Sequence, residues 1–341
     1  MKVKLFFLKL KIEQFLKHKI WKNLNLFSLV LLPFSLLYSI GYYIKFYFDK
    51  KKQKKFDIPI ICVGNLEIGG GGKTPFVLGL SQYLQDSGAN VAVVSRGYGR
   101  KSKIISYIKV NLKHSAAEVG DEPLLLARHV PTYVAEKRQI AIEAAQNDGA
   151  EIILFDDGLQ NQSIFKDFSI VVINGKHKHN CLIIPAGPLR EPAFFGFKRV
   201  QAIVVIDPSD KAIIQYQKKS DNLEIFFART VVLKPEKYAN RSFIALVGIA
   251  TPQKFLQSCR DVAANIIATY EFSDHYLYQV EDIKPIYEEA ISKNCTILTT
   301  TKDFVRIPPE FTSRFEVLEI VLQTDYQKII DTFKQLQNLN N

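Results

Sequence analysis

The chain has 341 residues, 47% of them hydrophobic, which is enough to bury a sizeable core in two domains. Its net charge of +11 would suit a nucleic-acid binder, yet residues 1–55 hold thirteen lysines against only Glu13 and Asp49. The remainder carries acidic and basic side chains in equal number, which argues against nucleic acid and directs the lysines toward anionic lipid headgroups.

Taken in chain order, Leu5 to Trp21 mixes Leu, Phe and Ile with Lys and could lie along a membrane surface. Asn23 to Ile44 follows as 22 positions without a charge, close to the roughly 20 that span a bilayer. Trp21 at its start and Tyr38, Tyr42, Tyr43 and Tyr47 toward its end are interface-seeking aromatics. Seven lysines precede this stretch and six follow, so the positive-inside rule does not orient it. Pro33 and Gly41 would permit a bent insertion into one leaflet as readily as a single span. No small-residue cleavage site follows, which disfavours a signal peptide.

Beyond the lysine run at 50–55, short β-branched runs alternate with helical patterns. Ile58–Val63, Asn90–Ser95, Glu151–Phe155, Phe168–Ile173 and Ala202–Ile206 read as buried parallel strands. Phe76–Gln85, Glu122–His129 and Lys137–Asp148 read as the helices between them. The expected fold class is α/β, a P-loop NTPase-like, doubly wound, mostly parallel sheet. A second, smaller α/β domain starts after a join near Phe226–Lys237: strand Ser242–Val247, helix Pro252–Ser258, strand Ala264–Tyr270, helix Val280–Ser292, strand Thr296–Thr300. The expected division is thus 1–55 membrane-associated, 56–230 phosphate-loop domain and 231–341 smaller domain. Cys62, Cys181, Cys259 and Cys295 are scattered, which gives neither a zinc knuckle nor a disulfide framework.

The chemistry concentrates after the first strand. Gly69-Gly70-Gly71-Gly72-Lys73-Thr74-Pro75 is a glycine-rich turn running into a helix, the arrangement that cradles nucleotide phosphates on backbone N–H groups. Lys73 would reach the outer phosphates and the Thr74 hydroxyl would hold Mg²⁺. The usual first glycine is absent; Glu67 stands there. Asp156 and Asp157 end an apolar strand, where a phosphate-loop protein holds its metal, and Gln160 continues that turn. Further polar clusters fall at strand ends: Ser95-Arg96-Gly97-Tyr98-Gly99-Arg100, Gly120-Asp121-Glu122-Pro123, Pro185-Ala186-Gly187-Pro188-Leu189-Arg190-Glu191-Pro192, Asp274-His275-Tyr276 and Thr301-Lys302-Asp303.

In this joint order, from about Pro59 to Arg306, the clusters resemble the tetraacyldisaccharide 4'-kinase (lipid A 4'-kinase) family of Gram-negative bacteria. The family loop also lacks the first glycine. The resemblance implies ATP-dependent phosphorylation of the 4'-hydroxyl of a membrane-embedded tetraacyl glucosamine disaccharide 1-phosphate, giving lipid IVA, on the cytoplasmic face of the inner membrane. ATP and Mg²⁺ are the implied cofactors, and no protein partner is evident. Asp121 is the implied base, oriented by His275 or sharing a proton with it. Arg96, Arg100, Glu122 and Gln160 are candidate contacts for phosphate, metal or substrate. With Asp121 in the first domain and His275 in the second, their meeting is expected to need closure. Two departures stand out: Gly71 replaces a usual hydroxyl residue, and Asn161-Gln162 replaces a basic pair. The alternative reading is a membrane-tethered P-loop ATPase switch. A GTPase is disfavoured because Asp303 follows Lys302 one residue too early for guanine recognition.

Overall fold

The computed structural model describes residues 20–69, 71–103, 106–176, 179–209 and 223–340. Most of the expected surface-lying stretch Leu5 to Trp21, and Gly70 of the phosphate loop, lie outside the described residues.

The chain divides into two compact units. One comprises the described residues up to Ala92 together with Ala145–Arg229 and those from Thr324; the other comprises Val93–Ala144 and Thr230–Gln323. This differs from the expected linear division. The stretch from Val93 to Ala144, read as part of the phosphate-loop domain, groups with the later segment. Apolar burial is the reason: Val110, Val119, Leu124 and Val134 form one core cluster, and Val305 packs against it. A linear scan cannot see such a return of the chain.

In chain order, strands β1 (Ile60–Gly64), β5 (Ile152–Asp156), β6 (Phe168–Asn174) and β7 (Ala202–Ile206) belong to the first unit and β3 (Ile108–Lys109) and β4 (Thr132–Val134) to the second, while β2 (Val91–Ser95) and β8 (Glu224–Val232) straddle the division. Strand β1 is flanked by β5 and β6, both parallel to it, with Val63 beside Asp156. Strands β7 and β8 extend this parallel set beyond β6. Every residue of β1 is buried, as in a strand covered by helices on both faces. The helix Lys73–Asp86 buries Phe76, Val77, Leu80, Ser81 and Leu84, a 3.6-residue stripe that lays it against the sheet.

The apolar stretch 23–44 is divided at Leu31 into helices Leu26–Val30 and Leu32–Lys51, with Pro33 in the first turn of the second. Proline lacks the N–H that would continue a helix and suits a helix start instead. No helix of the described residues is long and apolar enough to cross a membrane. The helix 32–51 is also inverted in polarity. Ser35 is buried and Ser39, Tyr42 and Phe46 are half-buried, whereas Leu36, Leu37, Ile40, Ile44 and Phe48 are exposed.

The second unit has parallel strands β2 and β4 with β3 antiparallel to β4. Its other sheet, in the order β10-β9-β11-β12, holds β9 (Ser242–Val247), β10 (Asn265–Glu271), β11 (Thr296–Thr299) and β12 (Phe315–Val317). The region expected to be a join at Phe226–Lys237 is largely strand β8, whose Phe226 and Phe227 pair in parallel with Val204 and Val205 of β7.

Candidate active site

In the first unit, β1 delivers the chain to the glycine-rich turn, and Gly72, at φ +85°, immediately precedes the helix Lys73–Asp86. That left-handed conformation suits glycine, and the first turn of the helix leaves N–H groups without intrahelical partners. A Cβ at Gly71 would collide with the Asn65 amide, so the lost hydroxyl residue leaves room for that side chain. Lys73 and Thr74 are both buried at the helix start. The Lys73 ammonium lies 3.4 Å from Asp157. Asp156 is buried at the end of β5, and Asp157 follows with a left-handed backbone, φ +48°.

The proline-stiffened loop fastens this arrangement. Arg190 N–H donates to the Leu66 carbonyl and Ile68 N–H to the Pro188 carbonyl, both on the approach to the glycine-rich turn. Arg190 Nη1 straddles both Asp157 oxygens at 3.0 Å and donates to Gln160 Oε1 at 3.3 Å. Gln160 Nε2 donates to the Asn65 carbonyl and to Glu191, each at 3.0 Å. Asn161 and Gln162, in place of a basic pair, shape the turn: Asn161 Oδ1 accepts from the Ser163 N–H, and Gln162 donates to the Leu159 carbonyl. Burial pushes the pKa of the Glu67 carboxyl, at the missing-glycine position, upward.

In the second unit, Gly120, at φ +94° and against the Tyr98 carbonyl, precedes the helix Asp121–Leu126. Asp121 is buried there, and its Oδ2 lies 2.8 Å from His275 Nδ1. Burial by itself would raise the Asp121 pKa, but the His275 hydrogen bond and charge, with Lys302 and Arg306, bring it well below the usual carboxylate range. Burial likewise opposes the charged imidazole, yet the bond to Asp121 wins and the His275 pKa is raised. The hydrogen bond thus favours the charged form of each partner over the neutral one. Both residues belong to one unit, so their meeting needs no closure of two domains, contrary to expectation.

Supporting this dyad are groups that the sequence did not single out for that role. Asp303 accepts from Gly248 N–H, Tyr278 hydroxyl, Arg306 and Thr300 hydroxyl. Arg306 then donates to the Tyr276 carbonyl at 3.0 Å, which ties down the loop carrying His275. Glu122 is ion-paired with Lys302. Burial works against the Lys302 ammonium, but Glu122 and Asp121 outweigh it and raise its pKa. Arg100 is turned onto its own loop, where it donates to the Arg96, Gly97 and Ser102 carbonyls and pairs with Glu136. Arg96 is exposed.

The residues from 27 to 338 match the family profile for tetraacyldisaccharide-1-P 4'-kinase. A tetraacyldisaccharide 4'-kinase of Paramagnetospirillum magneticum is 34% identical over 313 residues, covering 91% of this chain and 95% of its own length. One from Methylorubrum extorquens is 38% identical over 267 residues, covering 77% and 81% respectively. Among solved structures, LpxK from Aquifex aeolicus, described as an "apo" form in complex with ATP, superimposes with a TM-score of 0.72 at 27% identity. That match covers 91% of this chain and 99% of the other. With this profile match, and these relatives aligned over most of their length, the chain belongs to the tetraacyldisaccharide 4'-kinase family of lipid A biosynthesis.

Proposed function

We propose that the 4'-kinase reaction runs on two groups of residues: a phosphate cradle built on Lys73, and a proton acceptor built on Asp121. ATP would be held by the backbone of Gly69 to Gly72, with the Lys73 ammonium on the outer phosphates. Pro75 fixes the first turn of the helix behind them. Thr74, Asp156 and Asp157 offer only oxygen donors, which fits a hard cation such as Mg²⁺. Among the described residues no group of three His, Cys, Asp or Glu could hold a metal alone, in keeping with a site completed by phosphate oxygens and water. Such an ion supplies charge neutralisation at the phosphate oxygens.

In the transfer step, the 4'-hydroxyl oxygen forms a bond to the γ-phosphorus as the bond from that phosphorus to the bridging oxygen breaks, and ADP leaves with that electron pair. The hydroxyl proton passes to Asp121. A carboxylate with so low a pKa is a weak base in the ground state, and His275 offsets this by holding the acceptor oxygen in place and sharing the proton. The observation that carries this reading is the 2.8 Å bond between the buried Asp121 and His275. Glu122 acts by fixing Lys302 beside this pair. Arg96, exposed on its loop, is available to an anionic group of the lipid, whereas Arg100 would first have to leave its carbonyl partners.

The acceptor is a membrane lipid, and the exposed leucines, isoleucines and aromatics of helices 26–30 and 32–51 supply a surface for one-leaflet docking. With lysines on both sides of it in the sequence, this surface suits the cytoplasmic face of the inner membrane. Incubation with γ-labelled ATP and the 1-phosphorylated tetraacyl disaccharide tests the reading as a whole. Label is expected on the lipid's 4'-position; release as free phosphate irrespective of lipid would sink it. In the same assay His275→Ala should lose about 10²-fold in kcat while binding an ATP analogue normally.

A further inference from the structure

Arg199 lies just past a short phenylalanine-rich helix, Ala193–Phe197, and its contacts join three segments of the first unit. Its guanidinium carbon sits 5.2 Å from the Phe46 ring centroid and 4.9 Å from that of Phe195. Nη2 is ion-paired with Glu191, whose side chain is fully buried, and stands 3.5 Å from the Tyr42 hydroxyl. Nη1 donates to the Leu159 carbonyl at 3.3 Å, in the turn that follows Asp156 and Asp157. One cation therefore touches the inner face of helix 32–51, the acidic turn and the proline-stiffened loop.

Glu191 passes this fixation on. It accepts from Gln160 Nε2, while Gln160 Oε1 accepts from the same Arg190 nitrogen that straddles Asp157. The connected series is Arg199, Glu191, Gln160, Arg190, Asp157 and finally Lys73. A buried carboxylate needs its cation, and this one needs a flat cation: only a guanidinium can stack between two rings while its nitrogens serve an acid and a carbonyl.

We propose that Arg199 is a positioning residue for phosphoryl transfer, fixing the Asp157–Gln160 turn through Glu191 and Leu159 and tying that turn to the helix 32–51. The seating of that helix then bears on turnover as well as on attachment. This inference rests on reading Lys73 and Asp157 as the phosphate site.

The test uses the full chain in lipid-containing micelles, with kcat, the two KM values, ATP-analogue binding and thermal melting measured for each variant. Arg199→Lys is expected to melt like the parent and bind the analogue normally, yet lose about tenfold or more in kcat at saturating substrates. Unchanged kcat in Arg199→Lys would mean that charge alone suffices, and would overturn the proposal. Should Arg199 variants melt early, the double variant Glu191→Gln/Arg199→Gln removes both buried charges together. Its kcat per folded molecule is expected to stay low, and parental kcat there would reduce Arg199 to a structural role. Lys73→Ala, run in parallel, separates the premises: if it retains activity, the phosphate-site reading itself fails whatever Arg199 does.

Discussion

Asp121 and His275 each shift the other's pKa toward the charged form against the pull of burial, and this reciprocity has a pH signature. The carboxylate's contribution to stability is present above its ordinary pKa and is lost as pH falls through the depressed folded value. The imidazolium's contribution is present below its ordinary pKa and is lost as pH rises through the raised folded value. The pair is therefore intact between the depressed Asp121 pKa and the raised His275 pKa. In Asp121→Asn the imidazole keeps burial and Lys302, which lower its pKa, against Asp274, which raises it, so the His275 pKa should fall from its raised position, read by NMR of the ring. A His275 titration that stays raised in this variant would show that other groups set it. Lys73→Ala should reduce kcat by about 10²–10³-fold, as for loss of one charged contact to a transition state, with the melting temperature nearly unchanged. These residues were legible because each lies in a short cluster of polar residues or glycines. Arg199 was not. It follows a run of phenylalanines with no polar neighbour but Lys198, and its partners Tyr42, Leu159 and Glu191 are brought to it only by folding.

At the level of elements, the strands that were expected lie within two residues of their β-branched runs, as with Ala202–Ile206 and Ser242–Val247, where bounds coincide, whereas β3, β4, β8 and β12 were not anticipated. Helix starts were less visible. The phosphate-loop helix begins at Lys73 rather than Phe76, since glycine and proline at its start mask a turn whose N–H groups are free by design. The helix 32–51 reverses the usual sense of amphipathicity, with serines inward, so hydrophobicity alone could not say which face meets the protein. Ser35 makes this concrete: its hydroxyl donates to the Ile183 carbonyl at 2.8 Å and accepts from the Ala186 N–H. Replacing Leu36, Leu37, Ile40 and Ile44 together by serine should weaken binding to anionic vesicles by at least about tenfold, given ~0.8 kcal/mol for each buried methylene. Nucleotide binding should be retained. Vesicle flotation and analogue titration read the two separately, and undiminished flotation would remove this face from the docking surface. In the second unit, Arg306→Ala leaves the buried Asp303 without its cation, which should destabilise that unit by about 3–5 kcal/mol in denaturant unfolding.

For the molecule as a whole, charge and fold are kept apart. The lysine surplus sits in residues 1–55, and the rest is neutral. Attachment to anionic vesicles should accordingly weaken from low salt to about 0.5 M, where the Debye length contracts to a few ångströms, while analogue binding changes far less. Equal loss of both would place the electrostatics at the nucleotide site.

The interleaving of the two units has a consequence during synthesis. The second unit draws on Val93–Ala144 and on Thr230–Gln323, and Asp121 meets a partner 154 residues further on. The first unit also waits, because Tyr326 stacks on Tyr83 and lies against Phe76 on the phosphate-loop helix. The second unit cannot close before its segment up to Gln323 has emerged, nor the first while the ribosome still holds the final helix, and such long-range closures are slow. A nascent chain thus carries its glycine-rich loop for most of translation on a helix with an uncovered aromatic face. Premature termination before Thr324 leaves that face bare, which marks the truncated product for chaperones and proteases instead of releasing a half-built enzyme.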